Sequence, residues 1–289
     1  MAKIIDGKAI AAQVRAELKI ETMKWREQKI MPNLAVIQAG DDAASLVYVR
    51  SKQNLCQQVG IDLNLFTFKD TVKTREILAL LSELNNDPKV HGIVIELPLP
   101  PRIDKQRVVA AISPVKDIDG LHPLNKGYLL SGKEGLFPAT PAACIEILKR
   151  SNIEIAGRHA VLAGRGETVG RPLIFMLLKE NATVTVCHTR TVDLPFHTRQ
   201  AEILFVAAGQ PKLIKGEMVK PGAVVVDAGI NALEEGIYGD VDFEAVKEIA
   251  GAITPVPGGV GSLTTVLLLK NVCRAIQMQQ EGKEHGDTF

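Results

Sequence analysis

The chain is poor in cysteine, and its four cysteines, Cys56, Cys144, Cys187 and Cys273, stand far apart. No Cys-x-x-Cys and no pair of histidines at ligand spacing accompanies them, so neither a disulfide framework nor a metal site is indicated and the four read as buried thiols. A dominant charge is lacking too. With 34 basic and 33 acidic residues the formal net charge is +1, which removes the electrostatic case for nucleic acid or an anionic membrane as the main partner. No apolar run approaches the roughly 18 residues of a membrane span. Residues 1–8 lack the basic-then-apolar layout of a secretory signal, and a cytoplasmic protein is expected. Internal repeats and low-complexity tracts are also missing, apart from a polar, frayed end over 281–289.

What is present suits a soluble enzyme. The 289 residues, 46% of them hydrophobic, suffice for a substantial core and about two domains. Asp6 is placed to cap a helix carrying Ile10, Ala11, Val14 and Leu18 on one side, and 34–39 reads as a buried strand. A helix over 44–59 closed by Gly60, a strand over 61–68, a helix over 74–85 and a β-rich run over 91–97 stopped by prolines complete a β/α alternation. The prolines of 137–141 suggest a hinge before a helix over 142–149. Strands at 160–163, 183–187, 203–207 and 223–226, each followed by a loop or helix-compatible stretch, predict a parallel sheet with crossovers. A mostly apolar helix over 263–280 is expected to return and pack on the first domain.

Residues 254–261, Thr-Pro-Val-Pro-Gly-Gly-Val-Gly, combine restriction with licence. Pro255 and Pro257 fix their own φ and push Thr254 and Val256 toward extended geometry, while Gly258, Gly259 and Gly261 let main chain approach a ligand closely. Such a segment is either a tight turn between elements or a shaped wall of a site.

A strand running into Gly164-Arg-Gly-Glu-Thr-Val-Gly170, then Arg171-Pro172 opening a helix, offers backbone N–H groups at a helix N-terminus to a pyrophosphate. Gly164, Arg165, Gly166, Thr168, Val169 and Gly170 are therefore candidate cofactor residues, although the G-x-G-x-x-x-G spacing is one residue longer than the usual fingerprint. An NAD site normally carries an acid about 20 residues on, at the end of the second strand. Here that strand ends Cys187-His-Thr-Arg-Thr191. His188, Thr189 and Arg190, with Arg165 approaching from the loop, suit a ribose 2′-phosphate, so NADP is preferred over NAD; otherwise His188 and Arg190 are solvated loop residues.

Tyr48 and Lys52 stand at i and i+4, projecting from one helix face, a pair common on helical surfaces and no marker alone. Near them in the pattern, 115–123 carries Asp119 on a loop punctuated by glycine and proline. Together with Tyr-Val-Arg-Ser-Lys (48–52), Gly-Ile-Val-Ile-Glu-Leu-Pro-Leu-Pro (92–100), Lys-Asp-Ile-Asp-Gly-Leu-His-Pro (116–123), the 164–170 loop, Asp-Ala-Gly-Ile-Asn (227–231) and the 254–261 segment, the chain resembles the methylenetetrahydrofolate dehydrogenase/methenyltetrahydrofolate cyclohydrolase (FolD) family over nearly its whole length.

The resemblance implies a two-domain α/β fold, with an N-terminal folate-binding catalytic domain over 1–137 joined by the returning helix 263–289. It also implies a Rossmann-type, doubly wound parallel-sheet NADP domain over 138–262, a cleft between the two, and a homodimer. It implies oxidation of 5,10-methylenetetrahydrofolate by NADP⁺, followed by hydrolysis of the methenyl product to 10-formyltetrahydrofolate. By that analogy Lys52 is the central acid/base and electrostatic group, oriented by Tyr48. Asp119 hydrogen-bonds the pterin edge, Pro257, Gly258 and Gly259 line the folate pocket, and Gly164, Arg165, Gly166, Thr189 and Ile230 meet the cofactor. A dehydrogenase alone, or a catalytically silent folate- or nucleotide-binding protein of the same fold, are the competing readings.

Three residues depart from the family pattern. Glu96 stands where glutamine is usual, within reach of the lysine. A carboxylate within about 4–6 Å favours the ammonium ion and opposes its use as a base, so a weakened hydrolytic step is expected. Gly166 replaces a usual serine and Ser262 a usual proline, with modest expected effects on affinity.

Overall fold

The computed structural model describes residues 1–234 and 236–285. In chain order its elements begin with β1 (Lys3–Ile4), α1 (Gly7–Glu27), β2 (Asn33–Ala39), α2 (Ala43–Val59), β3 (Asp62–Phe68), α3 (Thr74–Asn86) and β4 (Gly92–Ile95). They continue with α4 (Lys105–Ala110), α5 (Pro123–Leu130), α6 (Ala139–Arg150), β5 (His159–Ala163), α7 (Gly170–Lys179), β6 (Thr183–Cys187) and α8 (Leu194–Thr198). The last are β7 (Ile203–Val206), β8 (Val224–Asp227), β9 (Asn231–Leu233), β10 (Gly236–Tyr238), α9 (Phe243–Val246), β11 (Ala252–Ile253) and α10 (Gly261–His285). Two compact units result, Met1–Gln13 with Pro138–Thr264, and Val14–Phe137 with the chain from Thr265.

The second of these units holds a three-stranded parallel sheet in the order β3-β2-β4, with Val36 opposite both Leu65 and Val94. Its central strand is apolar on both faces, as a strand covered by crossover helices must be. Ile37, Ile93 and Ile95 pack with Ile77 and Leu81 of α3 and Val108 of α4, each worth about 1.5–3 kcal/mol of transfer free energy when fully buried. On α10, Val272 reaches the sheet at Gly92, where an added Cβ would stand 2.7 Å from Ile118 Cγ2. Side-chain amides fasten the same helix: Asn271 Nδ2 donates to Ile118 O (2.7 Å) and Phe137 O (2.9 Å), and Gln279 Nε2 to His91 O (2.9 Å) and Val115 O (3.1 Å).

The other unit holds a six-stranded sheet, all parallel, in the order β1-β11-β8-β7-β5-β6. Strand order reverses at β5, the switch point at which doubly wound sheets bind ligands. The four cysteines are free and buried, and burial pushes the Cys56 and Cys144 thiols up to about 12.

Several elements differ from the expectations. Residues 1–13, read with the folate half, belong to the larger sheet's unit because Lys3 pairs with Ala252 and Ile4 with Ile253; a two-residue strand has no period to betray it. At 137–141 the chain passes from one unit to the other between Phe137 and Pro138, and the helix expected from 142 already starts at Ala139, with Pro138 as its N-cap and Pro141 in the first turn, where the missing N–H costs nothing. The run read as 91–97 is a strand only to Ile95, and α10 continues past 280 to His285. The short helices α4 and α5 and the β9–β10 hairpin carry too few residues for periodicity to show.

Because Asn271 satisfies two loop carbonyls far away in sequence, Asn271→Ala is expected to lower stability to chemical denaturation by about 2–3 kcal/mol. A loss below about 0.5 kcal/mol would show that water replaces those bonds.

Candidate functional site

Two helix-bearing loops of the smaller sheet meet at one buried ion pair. Asp42 caps α2 by accepting the Ser45 N–H (2.8 Å), which starts the helix at the end of β2 and puts Tyr48 and Lys52 one turn apart on it. Ser45 Oγ then donates to Leu97 O (3.1 Å), tying the first turn of α2 to the segment that follows β4. Glu96 is held there by its own N–H, which donates to Ile37 O (2.9 Å). Across this junction Lys52 Nζ lies 2.6 Å from Glu96 Oε1, with both residues buried. Tyr48 is half exposed, and its ring centroid is 5.9 Å from Nζ, so the ring face adds a cation–π contact.

A buried charge without a partner is costly, which gives this pair its geometry: either residue alone would be destabilising by several kcal/mol. An ammonium that donates to a carboxylate has no lone pair to accept a proton. Glu96 is thus turned toward Lys52, not away from it.

Asp119 sits on the loop beside this pair, and the loop is built around a second carboxylate. Asp117, 1% exposed, accepts from Leu121 N (3.2 Å), His122 N (2.8 Å) and Asn125 Nδ2 (2.9 Å), while a parallel bridge joins it to Ile93 of β4. Burial pushes Asp117 up to about 6 against those donors. Asp119 is partly buried; burial first, then the negative charges of Asp117 and Glu96, push it up to about 6, with Lys52 and Lys105 opposing. A carboxyl in this range can exchange its proton near neutrality.

In the six-stranded unit the glycine loop lines a cavity of about 440 Å³. Gly164 has φ +127°, and a Cβ there would lie 2.0 Å from Ala207 O, so only glycine permits the turn. A Cβ on Gly170 would meet Gly164 O at 2.5 Å, which fixes how closely α7 approaches β5. Gly164, Arg165, Gly166, His188 and Thr189 line the cavity, as do Cys187, Thr191, Leu194, Ala207, Ala208, Gln210 and Leu213. Thr168, Val169, Gly170, Arg190 and Ile230 do not line it. The Arg190 N–H donates to His188 Nδ1 (3.1 Å), so the neutral ring carries its proton on Nε2, a donor suited to a phosphate. The glycine turn, this donor and the nearby Arg165 fit a phosphorylated dinucleotide.

Pro257, Gly258 and Gly259 lie between β11 and α10. The Val256–Pro257 peptide is cis, Gly258 has φ +111°, and a Cβ on Gly259 would stand 2.5 Å from Pro255 O. A Cβ on Gly7, at the start of α1, would fall 2.2 Å from Gly259 O, so main chain passes main chain here without side chains.

Within the smaller-sheet unit the structure therefore gathers Tyr48, Lys52, Glu96 and Asp119, and in the larger-sheet unit the glycine loop with His188 and Thr189. Sequence reasoning missed Ser45 and Asp117, which hold the first group in place, and the β7 end, Ala207 and Ala208, which walls the cavity. Asp117 had a signal in the paired acids of Lys-Asp-Ile-Asp; the alanines had none. Among the described residues no group of three or more His, Cys, Asp or Glu is arranged to hold a metal ion, and no helix is long and apolar enough to cross a membrane.

Comparison with known proteins agrees with this geometry. Residues 5–119 match the family model for the tetrahydrofolate dehydrogenase/cyclohydrolase catalytic domain, and residues 138–280 match that family's NAD(P)-binding domain. Bifunctional protein FolD 2 of Desulfitobacterium hafniense is 58% identical over 97% of this chain and 99% of its own. The crystal structure of the bifunctional FolD enzyme from Campylobacter jejuni superposes with a TM-score of 0.94 at 44% identity, over 96% of this chain and 100% of that one. The Trypanosoma brucei dehydrogenase-cyclohydrolase, solved with NADP cofactor and inhibitor, has a TM-score of 0.90 at 36% identity, over 96% of this chain and 98% of its own. With both of its halves matched, the chain belongs to the tetrahydrofolate dehydrogenase/cyclohydrolase family.

Proposed function

We propose that this protein oxidises 5,10-methylenetetrahydrofolate to the 5,10-methenyl cation with NADP⁺, and hydrolyses that cation to 10-formyltetrahydrofolate more slowly than it forms it. The observation that carries the reading is the buried Lys52–Glu96 pair beside Asp119, in the half of the chain that matches the catalytic-domain model. Bound in the glycine-loop cavity, NADP⁺ supplies the hydride acceptor. Gly164 and Gly166 would admit its pyrophosphate to backbone N–H groups, and His188 Nε2 and Arg165 would hold the 2′-phosphate. NADP is accordingly favoured over NAD.

On the folate side the residues bind and orient more than they react. Asp119, ionised above pH 6, accepts hydrogen bonds from the adjacent N–H donors of the pterin edge. Lys52, fixed by Glu96 and covered by Tyr48, presents its charge to the reacting region. Loss of hydride leaves a cation on the one-carbon bridge, and the Glu96 carboxylate paired with Lys52 stabilises it. In the second step water adds to the methenyl carbon, one C–N bond opens and a proton is released. A base must take that proton, and Lys52, already donating to Glu96, is poorly placed to do so.

The test is a spectroscopic time course of the purified protein with methylenetetrahydrofolate and NADP⁺, following NADPH and the methenyl absorbance together. NADPH should rise while methenyl accumulates transiently; no NADPH would overturn the dehydrogenase reading. Glu96→Gln keeps a neutral amide beside the lysine and no longer favours the ammonium ion, so methenyl hydrolysis should speed up roughly tenfold, and an unchanged or lower rate would rule out suppression by Glu96.

Asp119 titrates through a folded value of about 6, above the ordinary value near 3.9. Its contribution to stability is therefore present at low pH and lost as pH rises through 6. Asp119→Asn should be more stable than the parent by about 1–2 kcal/mol at pH 8 and about equal to it near pH 4. The same ionisation predicts that KM for the folate substrate rises as pH falls through 6, a trend the variant should not show. Equal stability changes at both pH values would contradict the assignment.

A further inference from the structure

Behind the cavity wall formed by Ala207 and Ala208 lie two buried carboxylates that nothing above uses. Asp240 is fully enclosed and Asp227, at the end of β8, is 3% exposed. Asp240 Oδ2 accepts from Ala208 N (2.6 Å) and Gly209 N (2.8 Å), and its Oδ1 accepts from Asn231 Nδ2 (2.8 Å). Asp227 in turn holds Asp240: its Oδ1 accepts from Asp240 N (3.1 Å) and Gly229 N (2.9 Å), and its Oδ2 from Val241 N (2.9 Å). Thr254 Oγ1 completes the set by accepting from Asp227 N (2.8 Å).

Two glycines make room for these carboxylates. A Cβ on Gly229 would stand 2.2 Å from Asp240 Cγ, and one on Gly239 would stand 1.9 Å from Asp227 Oδ2. The loops after β7, β8 and β10 are thereby gathered on two side chains whose negative charge is delivered to backbone N–H groups. The adenosine half of a dinucleotide belongs at the end of β6, with His188 and Thr189, and the pyrophosphate at the start of α7. Across the switch point, the β7 loop that Asp240 fixes is left for the nicotinamide half.

We propose that Asp240, clamped by Asp227, is a positioning residue for the nicotinamide half of the cofactor, acting through the Ala208–Gly209 main chain. The proposal rests on the NADP reading above. Replacing Asp240 by Asn sets donor against donor either way: its NH₂ faces the Asn231 NH₂ if the amide oxygen keeps the Ala208 and Gly209 N–H bonds, and faces those two N–H groups if the oxygen turns to Asn231. The wall then shifts while the adenosine end is untouched.

The experiment is calorimetric titration of the parent protein and Asp240→Asn with NADP⁺ and with adenosine 2′,5′-bisphosphate, which reaches only the adenosine end. The variant should bind NADP⁺ roughly tenfold more weakly or worse and the bisphosphate within about twofold of the parent. Gly229→Ala, whose methyl displaces the Asp240 carboxyl from a different strand loop, should show the same split, and it carries the measurement if Asp240→Asn does not fold. Equal weakening of both ligands, the mark of a general structural role, would overturn the proposal, as would undiminished NADP⁺ binding in the folded variants. If the parent protein itself fails to bind NADP⁺, the cofactor reading falls and this proposal with it.

Discussion

Parallel strand pairing is the constraint on which the rest of the structure depends. Every strand of both main sheets runs in parallel with its neighbours, so each must be followed by a crossover, and every strand leaves its sheet at the same edge. The candidate site residues lie on those exits. Lys52 is on the helix after β2, Glu96 follows β4, the glycine loop follows β5, His188 follows β6, Ala208 follows β7, and Asp227 ends β8. Nothing beyond the topology is needed to bring residues from distant stretches of chain to one edge of each sheet. Which chemistry they perform depends on the loops.

At the edge of the smaller sheet the governing physics is the cost of burying charge. Lys52 and Glu96 are each nearly enclosed, and each makes the other tolerable. A glutamine in place of Glu96 would leave the lysine as the only full charge of the pair. The carboxylate instead fixes the cation and sets a negative group beside it. In the reading proposed above, glutamate in place of glutamine at position 96 therefore favours forming a cationic product and disfavours its hydrolysis. Asp119 adds to this balance, since its ionisation is opposed by Glu96 and Asp117 and assisted by Lys52.

Much of this was legible in the sequence because it rests on local signals. Gly60 closing α2, Asp6 accepting the Ala9 N–H before α1, and the apolar runs of β2, β5 and β7 follow from capping and periodicity alone. Tyr48 and Lys52 share a face for the same reason. What escaped was decided by partners distant in sequence. The pairing of β1 with β11 needs a strand some 250 residues away, and two residues carry no pattern. Pro141 reads as a residue before the helix until the chain is seen to enter α6 at Ala139. Ala207 and Ala208 matter because Gly164 packs on one and Asp240 holds the other, and neither relation leaves a trace in local composition.

One device recurs in both units. A buried aspartate collects backbone N–H groups from a loop that would otherwise have several conformations, and so sets the loop without covering its outer face. Asp117 does this for residues 121 and 122, next to Asp119. Asp227 and Asp240 do it for 208, 209, 229, 240 and 241. The device has a cost: burial outweighs the donors at Asp117 and Asp227, and both are pushed up to about 6. An apolar anchor of similar volume would stabilise the fold more, but it offers no directed bonds to peptide N–H groups. Stability is given up for loops held to hydrogen-bond precision, and such precision is what orienting two reactants requires.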